Sequence, residues 1–308
     1  MPVAMLTGTI VYLIFAHVTW LTPVKPLVND IVSLLTPTLI FTMLFLTFCK
    51  VSVRELRPCR WHLWIMLFQI ISCLMLAIPM IFFPEFPYKV TIQSAMVCLI
   101  CPTATAGAVI TAKLGGNASS LTTYTIISNL MTAIIVPILF PLVESHEGVD
   151  FLSSFLLILS KVFPLLICPL IAAMIVRQFL PRVKEKLTSY HDLAFYLWSI
   201  ALAIVVGQTV RSIVNSQAEI ATLITIGGAG LITCIVQFII GKKIGGYYND
   251  RISGGQALGQ KNTIFAIWMA YTYLTPLSSL GPGSYVLWQN LFNSWQLWRK
   301  RTKESHPT

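Results

Sequence analysis

Apolar windows recur along the chain and are divided by short polar breaks. Ten are apolar enough to predict membrane spans: 3–21, 27–48, 62–83, 89–113, 118–142, 158–177, 193–211, 220–241, 253–278 and 283–298. The first and last are short. The breaks hold charges, Pro or Gly, as in TPVKP, KVSVRELRPCR, FPEFP, KLGGN and KKIGGYYNDR. The expected fold class is all-α and polytopic. Two windows are interrupted inside. The fourth contains CPTATAG (101–107) and the ninth GGQALGQKN (254–262). Backbone groups freed at such breaks need partners, from neighbouring protein or from a polar cavity. A lone Pro102 could simply kink a packed helix, but two breaks in corresponding spans predict a functional pair.

Composition agrees with this class. Of 308 residues 56% are hydrophobic and 10% charged, whereas soluble domains carry about 25% charged residues. No mass remains for a separate soluble domain. The net charge of +10 could suggest nucleic acid, but its distribution supplies another cause. Lys50, Arg54, Arg57 and Arg60 follow span 2; Arg177, Arg182, Lys184 and Lys186 follow span 6. Lys113 follows span 4, Lys242, Lys243 and Arg251 follow span 8, and Arg299, Lys300, Arg301 and Lys303 lie in the tail. Opposite loops hold Lys25, Lys89 and Arg211 with the acidic Glu144, Glu147 and Asp150. This asymmetry predicts both termini in the cytoplasm of a multi-pass plasma (inner) membrane protein, and no nucleic-acid partner. No basic n-region precedes the first span, so it is expected to stay as a span rather than be cleaved. Five spans in each half would give two inverted repeats, over 1–148 and 149–308, forming one transmembrane unit.

Lys261 is the outstanding candidate. It lies nine residues past Ile252, and no charge follows it until Arg299. That is about 14 Å along a helix, near mid-membrane, where an unmet charge costs at least ~2.5–3.5 kcal/mol. Lys161 is expected at the outer boundary, with DFLSSFLLILSK forming an interfacial amphipathic segment. Cys98 and Cys101 make a C-x-x-C inside a span and are expected to be buried rather than metal-binding. Gln208 and Gln237 are expected as interhelical links, and GKKIG (241–245) is discounted as a dimer motif. Thr122, Thr123, Thr125, Ser128 and Asn129 read either as packing polar residues or as site residues, Asn129 being the most polar.

Three ordered motifs resemble the bile acid:sodium symporter family. Its helix 4 commonly reads C-P-G-G-x-x-S-N-x-x-T, followed by a G-N pair, a Ser/Thr-rich helix and P-x-x-x-P. Here CPTATAGAVIT runs from Cys101 to Thr111, followed by Gly116–Asn117, TTYTIISN (122–129), Pro137 and Pro141. The family's E-x-G-x-Q-N in helix 9 is matched by ALGQKN from Ala257 to Asn262, and its last-helix W-H-N by Trp288, Gln289 and Asn290. The resemblance implies ten spans in inverted repeats, with broken helices 4 and 9 crossing at the centre. It also implies a secondary transporter working by alternating access.

The departures concern sodium. In the family its oxygen ligands come from the Ser-Asn pair of helix 4, a Ser and a Thr of helix 5, and the Glu and Gln of helix 9. Those positions are Gly107, Ala108, Leu121, Thr125, Ala257 and Lys261 here, so only the threonine survives. Gln69 stands near the second sodium position implied by the resemblance; Asn129 and Gln260 complete the remnants. The resemblance thus implies lost sodium binding, no cofactor, and Lys261 as a tethered cation. None of the eleven Asp and Glu residues falls near mid-membrane. The lysine is then either neutral when the site is empty, because desolvation disfavours charge, or paired by substrate.

Substrate positions implied by the resemblance are Thr103, Thr105, Lys261, Asn262, Gln289 and Asn290. Half-helix N-termini there would suit a carboxylate. The expected partners are a small organic anion and membrane lipid, with oligomeric state open. Alternatives are a non-transporting anion binder or sensor, and an arsenite-type exporter using Cys101. An enzyme would need an intramembrane acid–base constellation, which the sequence lacks.

Overall fold

The computed structural model describes residues 2–51, 56–145, 148–190 and 192–305. Arg54, Glu147 and the side chain of Lys303, counted among the loop charges, lie outside them. The described chain forms helices α1 (Pro2–His17), α2 (Lys25–Cys49), α3 (Arg60–Phe82), α4 (Lys89–Ile100), α5 (Ala106–Leu114), α6 (Ala118–Val143), α7 (Phe151–Phe179), α8 (Pro181–Ser189), α9 (Leu193–Ser216), α10 (Ile220–Tyr247), α11 (Arg251–Gly259), α12 (Thr263–Tyr273) and α13 (Leu280–Ser305). Six of these, α2, α3, α6, α7, α9 and α10, are long and apolar enough to cross a membrane unbroken. The fourth and ninth windows are each divided, into α4 and α5 and into α11 and α12.

Burial orders the helices. In α6, 61% of the apolar window is buried, against 28–33% in the other five. Residues 263–270 of α12 and 253–259 of α11 are all buried. The buried parts of α4, α6, α11 and α12 therefore form the interior, while α5 and the other spans turn faces outward.

One expectation is corrected. The segment DFLSSFLLILSK is no separate interfacial piece, because α7 runs unbroken over 29 residues from Phe151. Asp150 starts it: Oδ2 accepts from Ser153 N at 3.1 Å and Oδ1 from Ser153 Oγ at 2.6 Å. Those bonds hold the Asp150 carboxyl below its ordinary range. Lys161 thus sits exposed partway along a continuous helix. The segment that carries Arg182, Lys184 and Lys186 forms α8, a short polar helix with no apolar window to announce it.

The turn between α5 and α6 explains Gly115–Gly116–Asn117. Gly115 closes α5 at φ +86°, a left-handed conformation that favours glycine. At Gly116 a Cβ would lie 2.7 Å from Ile252 Cγ2. Asn117 caps α6 by accepting from Ser120 N at 3.0 Å, while its own N–H donates to Ser253 Oγ of α11 at 2.9 Å. Asn117, which with Ala118 and Ser119 spells a glycosylation sequon, thus serves as a helix cap.

The G-x-x-x-G at Gly241 and Gly245 also finds its use, inside the chain. These glycines pack α10 against Gly254 of α11, where a Cβ on Gly254 would lie 2.6 Å from Gly241 O and 2.7 Å from Gly245 Cα. Backbones this close need small residues on both sides.

Candidate functional site

The two breaks meet and pair. Thr103 and Lys261 form an isolated antiparallel bridge. Ala104 N donates to Gln260 O, and Asn262 N donates to Pro102 O, both at 2.9 Å. Each break thus satisfies backbone groups of the other. The local cause of the first is Pro102, which has no N–H and disfavours a helical residue before it. Cys101 is accordingly extended, with φ −52° and ψ 137°. The second break has no proline; Gln260 is extended at φ −95°, ψ 101°. Asn262 then restarts the helix, its Oδ1 accepting from Phe265 N at 3.3 Å.

At the crossing two helices end, α4 and α11, and two begin, α5 and α12. Ending helices present free carbonyls and the negative end of their dipoles. Polar side chains meet those carbonyls one by one. Cys98 O accepts from Gln237 Nε2 at 3.2 Å and Ile100 O from Thr132 Oγ1 at 2.9 Å. Leu99 O accepts from Gln69 Nε2 at 2.8 Å and from Lys261 Nζ at 3.0 Å. Cys101 O accepts a second bond from Lys261 Nζ, also at 3.0 Å. On α11, Gly259 O accepts from Tyr285 OH at 2.8 Å and Ala257 O from Thr103 Oγ1 at 2.6 Å.

Lys261 is 1% exposed. Its ammonium therefore has a protein partner that the two sequence alternatives did not include: the carbonyl end of α4. Among the described residues it has no carboxylate within salt-bridge distance.

The other predicted positions divide in two groups. Thr103, Lys261 and Gln289 are buried in the crossing itself. Gln289 Oε1 accepts from Lys261 N at 2.8 Å, and its Nε2 donates to Lys261 O at 3.3 Å. Thr105, Asn262 and Asn290 remain partly exposed. Thr105 and Asn262 stand at the starts of α5 and α12, whereas Asn290 Nδ2 bonds Val286 O of its own helix at 2.7 Å.

The remnant positions are not gathered around one void. Leu121 and Ala257 are fully buried in one apolar cluster, with Ala108 packed against it. A Cβ on Gly107 would lie 3.1 Å from Leu121 Cδ2. Hydrocarbon fills the place where the resemblance puts ligand oxygens. Thr125 Oγ1 bonds Leu121 O and Asn129 Nδ2 bonds Thr125 O, at 3.0 and 2.8 Å, both within α6. Asn129 Oδ1 is buried without a partner. Gln260 Oε1 accepts from Asn293 Nδ2, while Gln69 Oε1 accepts from Tyr124 OH.

Thr132, Tyr285 and Asn293 escaped the sequence reading, whereas Ser128, read there either as a packing or a site residue, and Gln237, read as an interhelical link, prove to hold the crossing. Ser128 Oγ accepts from Thr103 N at 3.1 Å, so it holds the first break. Thr132, one turn further on α6, caps Ile100. Their spacing of four placed them on one face of an apolar helix, which was a usable signal. Tyr285 and Asn293 on α13 carried the same signal, each standing four residues from Gln289 on one helix face. Gln237 Nε2 also donates to Tyr285 OH at 3.1 Å, so one polar chain joins the ends of α4 and α11. Tyr285→Phe removes the donor to Gly259 O and should lower stability by about 1 kcal/mol, read as a lower midpoint of thermal unfolding in detergent.

An all-helical, multi-pass membrane protein with two interrupted helices joined backbone to backbone has the makings of a transporter core. A sequence profile of the Sodium Bile acid symporter family matches residues 37–216, more than half of the chain. The chain belongs to that family, whose members are transporters and not enzymes. The match runs from α2 through α9 and ends before the second break. A comparison with curated proteins finds no match.

Proposed function

We propose that the protein is a secondary transporter of a small organic anion, working by alternating access without sodium. The observation that carries this reading is the Lys261 ammonium seated on Leu99 O and Cys101 O. Carbonyl oxygens at the negative end of a helix form a cation site, and the lysine fills it with an amine group tethered to the chain. The starts of α5 and α12 supply the opposite polarity, suited to a carboxylate. Thr105 and Asn262, partly exposed at those starts, are the residues proposed to meet substrate; Thr103, Lys261 and Gln289 hold the crossing behind them. In the same reading the spans form two inverted sets of five, over 1–148 and 149–308, with both termini cytoplasmic.

Counterflow in proteoliposomes tests transport itself. Liposomes loaded with an unlabelled carboxylate should accumulate its labelled form transiently, across a panel of small carboxylates. Thr105→Val and Asn262→Leu should each slow it by roughly tenfold, the cost of about 1.4 kcal/mol of lost hydrogen bonding. Binding without counterflow for every ligand would make the protein a binder or sensor and end the transporter reading.

A further inference from the structure

A second cation-rich place lies away from the crossing, where α10 ends, α11 begins and α13 runs into the tail. A cavity of about 430 Å³ is lined there by Lys242, Arg251, Arg299, Lys300, Trp295 and Gln296, among others. No acidic residue lines it. Among the described residues none of Lys242, Arg251 and Arg299 has a carboxylate within salt-bridge distance. Aromatic rings hold two of these cations instead. Lys242 Nζ lies 4.8 Å from the Phe292 ring centroid, and the Arg299 guanidinium 5.5 Å from that of Trp295. A ring face orients a cation without neutralising it. Arg251 is the first residue of α11; its neighbour Asp250, at the start of that helix, makes no side-chain cap and does not line the cavity. Like charges crowded without carboxylates repel one another unless an anion sits between them.

We infer that this cavity binds a phosphate group, presented by an anionic lipid headgroup or by a soluble phosphate. Guanidinium groups match phosphate oxygens bidentately. The surroundings suit a lipid: Trp295 and Trp298 of the same helix are 44% and 62% exposed, as aromatic residues at a membrane interface are. Basic pockets between membrane helices bind such headgroups. A phosphate here would tie α10, α11 and α13 together. Gln256 of α11 already bonds Asn293 of α13 at 2.9 Å, so occupancy would brace the second broken helix from its far end. This inference stands independently of the transport reading.

The test uses the purified full chain in neutral detergent, with bound molecules counted by native mass spectrometry. One arm titrates dioleoylphosphatidylglycerol; the other titrates inorganic phosphate and pyrophosphate. The expected result is one saturable site in at least one arm, and the arm that saturates identifies the source. Arg251→Gln with Arg299→Gln should weaken it by about 25-fold, roughly fivefold per cation removed. Arg251→Lys with Arg299→Lys keeps the charge and removes only the bidentate match, so it should weaken binding less than the glutamine pair does, which separates lost charge from lost fold. Lys184→Gln with Lys186→Gln on α8 should leave it unchanged. Absence of saturable binding in both arms, or an equal loss in the α8 pair, would overturn the assignment.

Discussion

Anion exchange into proteoliposomes proceeds at the same rate in sodium and in choline, and Lys261→Gln abolishes it or makes it respond to sodium: this is the first expected result. The buried ammonium donates to two carbonyls at the end of α4. Glutamine offers a shorter, neutral donor, so the negative dipole end of α4 loses its cation. A mobile sodium ion could then be drawn to the same oxygens. Lys261→Met goes further. Leu99 O keeps Gln69, but Cys101 O loses its bond to the lysine. One buried carbonyl left unmet costs about 1–3 kcal/mol, so this variant should also unfold at a lower temperature. Wild-type exchange that stops in choline, and that Lys261→Gln leaves as it was, would refute the tethered-cation reading.

The second large effect concerns packing. Gly254→Leu should prevent recovery of folded protein from the membrane, because its side chain would enter the backbone of Gly241 and Gly245. Even Gly254→Ala should cost at least about 1–3 kcal/mol, the range for overpacking a close contact. Gly227 and Gly228, on the same helix α10, provide the contrast. A Cβ at either meets nothing within 4 Å, so alanine there should be neutral or stabilising by up to about 1 kcal/mol. Fluorescence-detected size exclusion and thermal unfolding of the four variants measure this. Equal tolerance at Gly254 and Gly227 would mean that α10 and α11 do not approach as closely as described.

The two cases differ in how far the amino-acid sequence could reach. Long apolar windows located the spans, since length and apolarity are what a bilayer demands. Pro102 and the glycine-rich 254–262 segment marked where the breaks fall, the proline by its own local effect and the glycines by a composition that weakens a helix. The partner of Lys261 was not legible. It is a pair of backbone carbonyls, and a carbonyl has no residue type; the search for a counter-ion among Asp and Glu could not have found it. The glycines of α10 looked like a membrane-boundary motif because nothing local says that Gly254, nine residues beyond Gly245, folds back onto them. The start of α7 was missed for a different reason. DFLSSFLLILSK mixes serine and lysine into an apolar run, and a hydropathy window trims such an end while hydrogen bonding to Asp150 extends it.

The crossing has a consequence for how the chain is made. Leu99 O waits for a lysine 162 residues later, and Cys98 O for a glutamine 139 residues later. Translation at about 5–20 residues per second separates Leu99 from Lys261 by roughly 8–32 s. Throughout that interval α4 lies in or near the bilayer with carbonyls that its final partners have yet to reach. A nascent chain arrested after α10 should therefore hold α4 and α5 loosely and open to water or membrane chaperones. Synthesis of α11 and α12 would be the step that commits the whole bundle.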